Sequence, residues 1–113
     1  MKTHLNTEKA FATLLEIISP TPLMHNINIS TEHHCNVLLK REDLQPVRSY
    51  KIRGAYNKIT SLSKSERAKG VVCASAGNHA QGVAYSCFLL EIKGVVYMPT
   101  TTPTQKVEQV SMF

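Results

Sequence analysis

The sequence predicts an α/β fold built on a layer of parallel strands. Three observations carry that prediction. Two short β-rich runs, Val71 to Ser75 and Gly94 to Met98, are each bounded by glycine or proline. A helical pattern precedes the first run, another separates the two, and a third follows the second. The gap between the two runs is long enough for a helical crossover, which joins parallel strands rather than a hairpin.

The elements follow in order. Asn6-Thr7-Glu8 opens a helical pattern to about Ser19, with Phe11, Leu14, Leu15 and Ile18 on one face. Pro20 and Pro22 end it. Residues 23 to 35 read as polar and irregular, with room for one helical turn. Val37, Leu38 and Leu39 make the apolar run of a strand from Asn36 to Arg41, and a loop through Pro46 follows. Ser49 to about Leu62 is a helix with Ile52, Ala55, Tyr56 and Ile59 inward. Ser63 to Lys69 is a short helix closed by Gly70. After the strand at Val71, a helix runs from Gly77 to about Leu90. After the strand at Gly94, Pro99 ends the run and a last helix begins, with Thr102 as cap and Pro103 at its first position.

Composition excludes several classes. The formal charge is +5, but lysines and arginines are scattered, with no basic stripe and no interleaved aromatics. That argues against a nucleic-acid partner. Cys35, Cys73 and Cys87 form no C-x-x-C pair, so neither a zinc knuckle nor a redox pair is expected. Three unpaired thiols suit a reducing cytoplasm. No apolar run is long enough to span a bilayer, so no membrane role is expected. His33-His34-Cys35 lacks an acidic partner nearby and reads as a solvated loop, so no metal is expected. Glu42 and Asp43 read as solvated strand-end acids. Gly77 and Gly82 have the spacing of a phosphate loop, but Val83-Ala84 stands where Lys-Ser/Thr is required, and no G-x-G-x-x-G occurs.

Two segments carry chemistry. Lys51 follows Ser49, a predicted N-cap, and so falls in the first turn of a helix, where the macrodipole disfavours a cation. Arg48 and Arg53 add like charge. All three influences favour a neutral, nucleophilic amine. The plain alternative is a surface lysine at a helix foot. The second segment, Ala74-Ser75-Ala76-Gly77-Asn78-His79-Ala80-Gln81-Gly82, joins a strand to a helix with small and polar residues. Such a turn presents backbone N–H groups to an anion. The alternative there is a tight junction with no ligand.

Together the two segments resemble a known family. Leu39 to Tyr56, with Ser49-Tyr50-Lys51 at its centre, is similar to the cofactor-lysine segment of the pyridoxal-phosphate-dependent serine/threonine dehydratases. Ser75 to Gly82 resembles their asparagine loop, and the combination is most similar to threonine dehydratases of the biosynthetic type. The likeness runs from about Pro20 to the last residue. Tyr50 stands where the family usually has phenylalanine.

The resemblance implies a tryptophan-synthase β-like (fold type II) arrangement. Residues 1–50 would begin the larger cofactor domain, and residues 51–113 would make most of a smaller α/β domain. It implies pyridoxal 5'-phosphate as cofactor, held by the Lys51 amine, which then removes the substrate α-proton. Asn78 would bind the cofactor's ring oxygen, and Tyr50 would pack near its ring. The turn Ser75, Ala76, Gly77, Asn78 and His79 would bind the substrate carboxylate, with Ser75 also a catalytic candidate and a structural role for His79 equally open. Related serine racemases carry a serine matching Ala76; a methyl group there cannot return a proton to the α-carbon. The implied reaction is dehydration and deamination of L-threonine, or alternatively L-serine, to a 2-oxo acid and ammonia, in cytoplasmic isoleucine synthesis. A homo-oligomeric parent enzyme is implied too. Family members are several times longer, so the chain is expected to be an N-terminal piece, inactive alone. The phosphate cradle, the partner of the pyridine nitrogen and any regulatory domain would lie past residue 113. A non-catalytic remnant and a small anion-binding α/β module are the competing readings.

Overall fold

The computed structural model describes residues 6–113. Helix α1 spans Thr7–Leu14, shorter than the pattern predicts, and the Asn6 side chain caps it by accepting from the Lys9 N–H at 2.8 Å. Leu14 and Ile18 are buried, whereas Phe11 and Leu15 are 58% and 50% exposed, so half of the predicted apolar face meets no core. The stretch expected to be irregular contains strand β1, Leu23–His25, and helix α2, Ile27–Glu32. Strand β2, Leu38–Lys40, pairs antiparallel with β1, Leu23 opposite Lys40. Asn26 caps α2, and the Ser30 hydroxyl accepts from the Val37 N–H at 2.9 Å, closing the connection. A 3₁₀ turn at Glu42–Leu44 and a reversal at Arg48, in the left-handed region at φ 58°, lead into helix α3, Lys51–Thr60.

Helix α4, Lys64–Ala68, is held by a capping box in which Ser63 and Glu66 satisfy each other's N–H groups. Gly70, at φ 84°, ends it, a conformation that costs a residue without a Cβ nothing. Strand β3 (Val71–Ala74), helix α5 (Asn78–Leu89) and strand β4 (Gly94–Tyr97) form a parallel βαβ unit, Val71 opposite Gly94. The parallel pairing is the one the alternation predicts. Helix α6, Thr104–Ser111, starts one residue later than expected: Pro103, at ψ 136°, occupies the cap position, and Thr102 does not cap. Thr102 instead donates its N–H to Pro99, and its buried hydroxyl has no partner among the described residues.

Helix α3 is the hub. Ile52 and Tyr56 pack with Leu14, Ile18 and Val47, while Ala55 and Ile59 pack with Val83 and Cys87 of α5. All four positions predicted inward are buried. The radius of gyration, 16.7 Å, exceeds the ~13 Å of a compact domain of this length. The antiparallel pair contributes to that spread, since Leu23, Met24, Leu38 and Leu39 remain exposed. Among the described residues no helix is long and apolar enough to cross a membrane.

Candidate functional site

Lys51 is the first residue of α3, and Tyr50 occupies the cap position with helical dihedrals. Ser49 is therefore one residue ahead of the assigned cap. Its buried hydroxyl still accepts from the Lys51 N–H, at 3.4 Å, which is a long bond of the capping kind. One of the influences expected on Lys51 meets a counter-contact. Arg53 does not present a free charge: its guanidinium forks onto the Glu42 carboxylate, with both N–O distances 2.7 Å. The Lys51 ammonium also lies 5.0 Å from the centre of the Tyr50 ring, within range of a cation–π contact.

Glu42 is thus not the solvated acid that its sequence position suggests. Its side chain is 14% exposed and accepts from Thr21 as well as Arg53. The Arg53 guanidinium beside it pulls the Glu42 carboxyl down to about 2, against the opposing effect of burial, and the Thr21 hydroxyl assists. Lys40 donates to the Thr21 carbonyl and Gln45 to the Ser19 carbonyl. This polar cluster ties the segment before α3 to the turn that carries Lys51. Asp43 behaves as expected, exposed and paired with Arg41 at 2.7 Å.

Lys51 borders a cleft of about 540 Å³ that also includes Tyr50, Lys58, Val71, Cys73 and His79. A larger hollow of about 990 Å³ lies between α5, β4 and α6, lined by Phe88, Met98, Val107 and Phe113 among others, and contains none of the candidate site residues. The candidate residues that face a cleft therefore all border the smaller one. Lys51, Tyr50 and His79 are brought together there. Ser75, Ala76, Gly77 and Asn78 do not line the cleft; they form the turn that joins Cys73 to His79, two residues that do. Burial pushes the Cys73 thiol up, which disfavours its thiolate in this cleft.

The turn is anchored at both ends. Ser75 donates its N–H to the Tyr97 carbonyl at 3.0 Å, and its hydroxyl accepts from the Gly77 N–H at 3.3 Å. The N–H groups of Asn78, His79 and Ala80, in the first turn of α5, find no acceptor among the described residues. Three free donors at the positive end of a twelve-residue helix favour a carboxylate or phosphate. His33, His34 and Cys35 lie apart from this site, at the exposed end of α2.

Gly82, noted in the sequence as the end of the turn segment and for a rejected phosphate-loop spacing, has a contact that local reading misses. A Cβ at Gly82 would stand 3.1 Å from both the carbonyl carbon and oxygen of Lys51. Helix α5 therefore rests directly on the peptide of the candidate lysine. A small residue at a helix crossing is the signal that could have found it.

The donor set suits an aldehyde cofactor with an acidic substrate. A primary amine stands on a cleft with apolar walls at Ala55, Ile59 and Val83, and an anion-binding turn leads into the same cleft.

Comparisons with known proteins agree. Residues 14–113 match the pyridoxal-phosphate dependent enzyme family. The chain is 60% identical to a biosynthetic L-threonine dehydratase of Halalkalibacterium halodurans, over 89% of this chain and 24% of that protein. It is 55% identical to the Bacillus subtilis enzyme of the same name, over 93% of this chain and 25% of that protein. The chain thus spans about a quarter of the length of these relatives. Among solved structures, maize serine racemase superposes with a TM-score of 0.87 at 34% identity, covering 93% of this chain and 32% of that one. Threonine deaminase isoform 2 from Solanum lycopersicum gives 0.79 at 38%, covering 99% and 33%. The neighbours are fold type II enzymes, so backbone shape alone separates neither racemase from deaminase. With a matching family over nearly its whole length and a lysine and anion-binding turn in the corresponding fold, this chain belongs to the pyridoxal-phosphate dependent enzyme family.

Proposed function

We propose that this chain carries the cofactor lysine and the carboxylate-binding turn of an L-threonine dehydratase, an ammonia-lyase that yields 2-oxobutanoate and ammonia. The observation that carries the reading is the joint placement of Lys51 and the Ser75–Asn78 turn on two helices in direct contact. Identity of 52–60% to biosynthetic threonine dehydratases supports threonine as substrate and isoleucine synthesis as setting, and the three free cysteines suit the cytoplasm. Residues 1–50 would then begin the larger domain and residues 51–113 most of the smaller one.

Each residue has a physical task. The free N–H groups after Gly77 and the Ser75 hydroxyl bind the substrate carboxylate and fix the α-carbon. The Asn78 amide orients the cofactor through its ring oxygen, and the Tyr50 ring flanks it. Pyridoxal phosphate, when bound, supplies a sink for the electron pair left on the α-carbon. The Lys51 amine would hold the cofactor through its aldehyde carbon and, when free, would take the substrate α-proton; one group could serve both roles because it stands beside that carbon. The proton taken by Lys51 would leave with the β-hydroxyl as water, and the released enamine would tautomerise and hydrolyse to 2-oxobutanoate and ammonia.

Borohydride reduction of the chain with pyridoxal phosphate, followed by peptide mapping, tests the anchor. Lys58 borders the same cleft and is the internal control. The pyridoxyl group is expected on Lys51 and absent in Lys51→Ala. A label on Lys58 or Lys40 instead would refute the assignment.

A further inference from the structure

We propose that Gly82 is a positioning residue: its missing Cβ seats α5 on the Lys51 peptide and so sets the offset between the lysine amine and the anion-binding turn. The inference rests on the reading of Lys51 and the turn given above.

Three observations converge. The close approach is to main chain, not to a flexible side chain: a Cβ would meet Lys51 C and O at 3.1 Å and Ile52 N at 3.3 Å. No side-chain adjustment can make that room, so a methyl group must move one helix against the other. The second observation is periodicity. Asn78 and Gly82 are four residues apart on α5 and share a face, so Asn78 stands about 6 Å along the axis from the contact. A displacement at Gly82 is therefore passed to Asn78 with little loss. Third, the glycine itself is held. The buried Ser86 hydroxyl donates to the Gly82 carbonyl at 2.6 Å, and Val83 and Cys87 pack on Ala55 and Ile59 just beyond it. The Ser86 bond lies within α5 and fixes the glycine in its own helix, while the apolar contacts hold the crossing just beyond it.

Gly54 shows that this is a property of the contact and not of helical glycines. It lies in α3 itself, and a Cβ there would meet nothing within 4 Å.

The test compares the wild-type chain with Gly82→Ala and with Cys87→Ala, which removes a buried side chain from the same interface one turn farther from Lys51. For each chain the thermal midpoint is measured, together with the ratio of Lys51 to Lys58 acetylation by trace acetic anhydride. Lifting α5 off the Lys51 peptide uncovers the Lys51 amine more than the Lys58 amine two turns along α3, so Gly82→Ala should raise the ratio about threefold, the change that loss of one weak contact of about 0.6 kcal/mol carries. Cys87→Ala should lower the midpoint at least as much and leave the ratio unchanged. If Gly82→Ala shows no cooperative transition, all three chains are read in trimethylamine oxide, which strengthens burial. An unchanged ratio in Gly82→Ala overturns the proposal, as does an equal change in Cys87→Ala. The pyridoxyl map separates the two ideas: a wild-type label away from Lys51 refutes the proposed function, while the acetylation ratio still decides the role of Gly82.

Discussion

Replacing Glu42 by glutamine should destabilise the chain in a pH-dependent way. The substitution keeps the shape of the side chain and removes the charge that pairs with Arg53. A carboxyl held at about 2 instead of 4.5 corresponds to about 3 kcal/mol of preferential stabilisation of the carboxylate in the folded state. Arg53 is 31% exposed, so solvent screens part of that, and about 1–2 kcal/mol is the realistic magnitude. For a chain near this size each kcal/mol moves the midpoint by roughly 4–8 °C, so Glu42→Gln should melt about 5–15 °C lower at pH 7. The sign follows from the direction. The folded carboxyl titrates below the unfolded one, so its contribution is complete above about pH 4.5 and fades as pH falls toward about 2. Circular dichroism melts of both chains from pH 7 to pH 2 check this. The two midpoints should converge across that window. A constant gap at every pH would show that Glu42 acts by packing and not by charge. No gap at pH 7 would show that the Arg53 pair contributes nothing.

Three further outcomes are expected. Gly70→Ala combines a φ of 84° with a Cβ only 2.8 Å from the Lys93 carbonyl oxygen, so it should cost about 1–3 kcal/mol in urea unfolding. Gly54→Ala, with open space and a helix interior, should gain up to about 1 kcal/mol in the same assay. In a full-length enzyme carrying this segment, the Ala76 methyl leaves Lys51 as the only base the segment supplies. L-serine in deuterated water should therefore give keto acid without α-inverted amino acid, and inversion at a comparable rate would disprove the argument.

The periodicity of α3 and α5 and the alternation of β3, α5 and β4 are local properties, and they are legible in residue order. So is the candidate lysine, because Ser49-Tyr50-Lys51 sits at a helix start marked by a hydroxyl and an aromatic. Strand β1 was not legible: three residues, Leu23-Met24-His25, are too few to show a period of two, and only pairing with β2 makes them a strand. Phe11 and Leu15 carry the same pattern as Leu14 and Ile18, yet only the latter meet Ile52 and Tyr56, since burial depends on what another element places opposite.

Sequence alone therefore determined the frame and the candidates: a lysine at a helix foot and a turn of small and polar residues on a parallel α/β layer. Tertiary structure decided how those groups are held. Glu42 reaches Arg53 across eleven positions and turns an apparent free cation into half of an ion pair. Gly82 meets Lys51 across a helix crossing thirty-one positions away, through a main-chain contact that no property of the glycine's neighbours in sequence encodes. Propensity and patterning act over one or two turns, whereas charge pairing and close packing depend on distances that exist only once the helices have crossed.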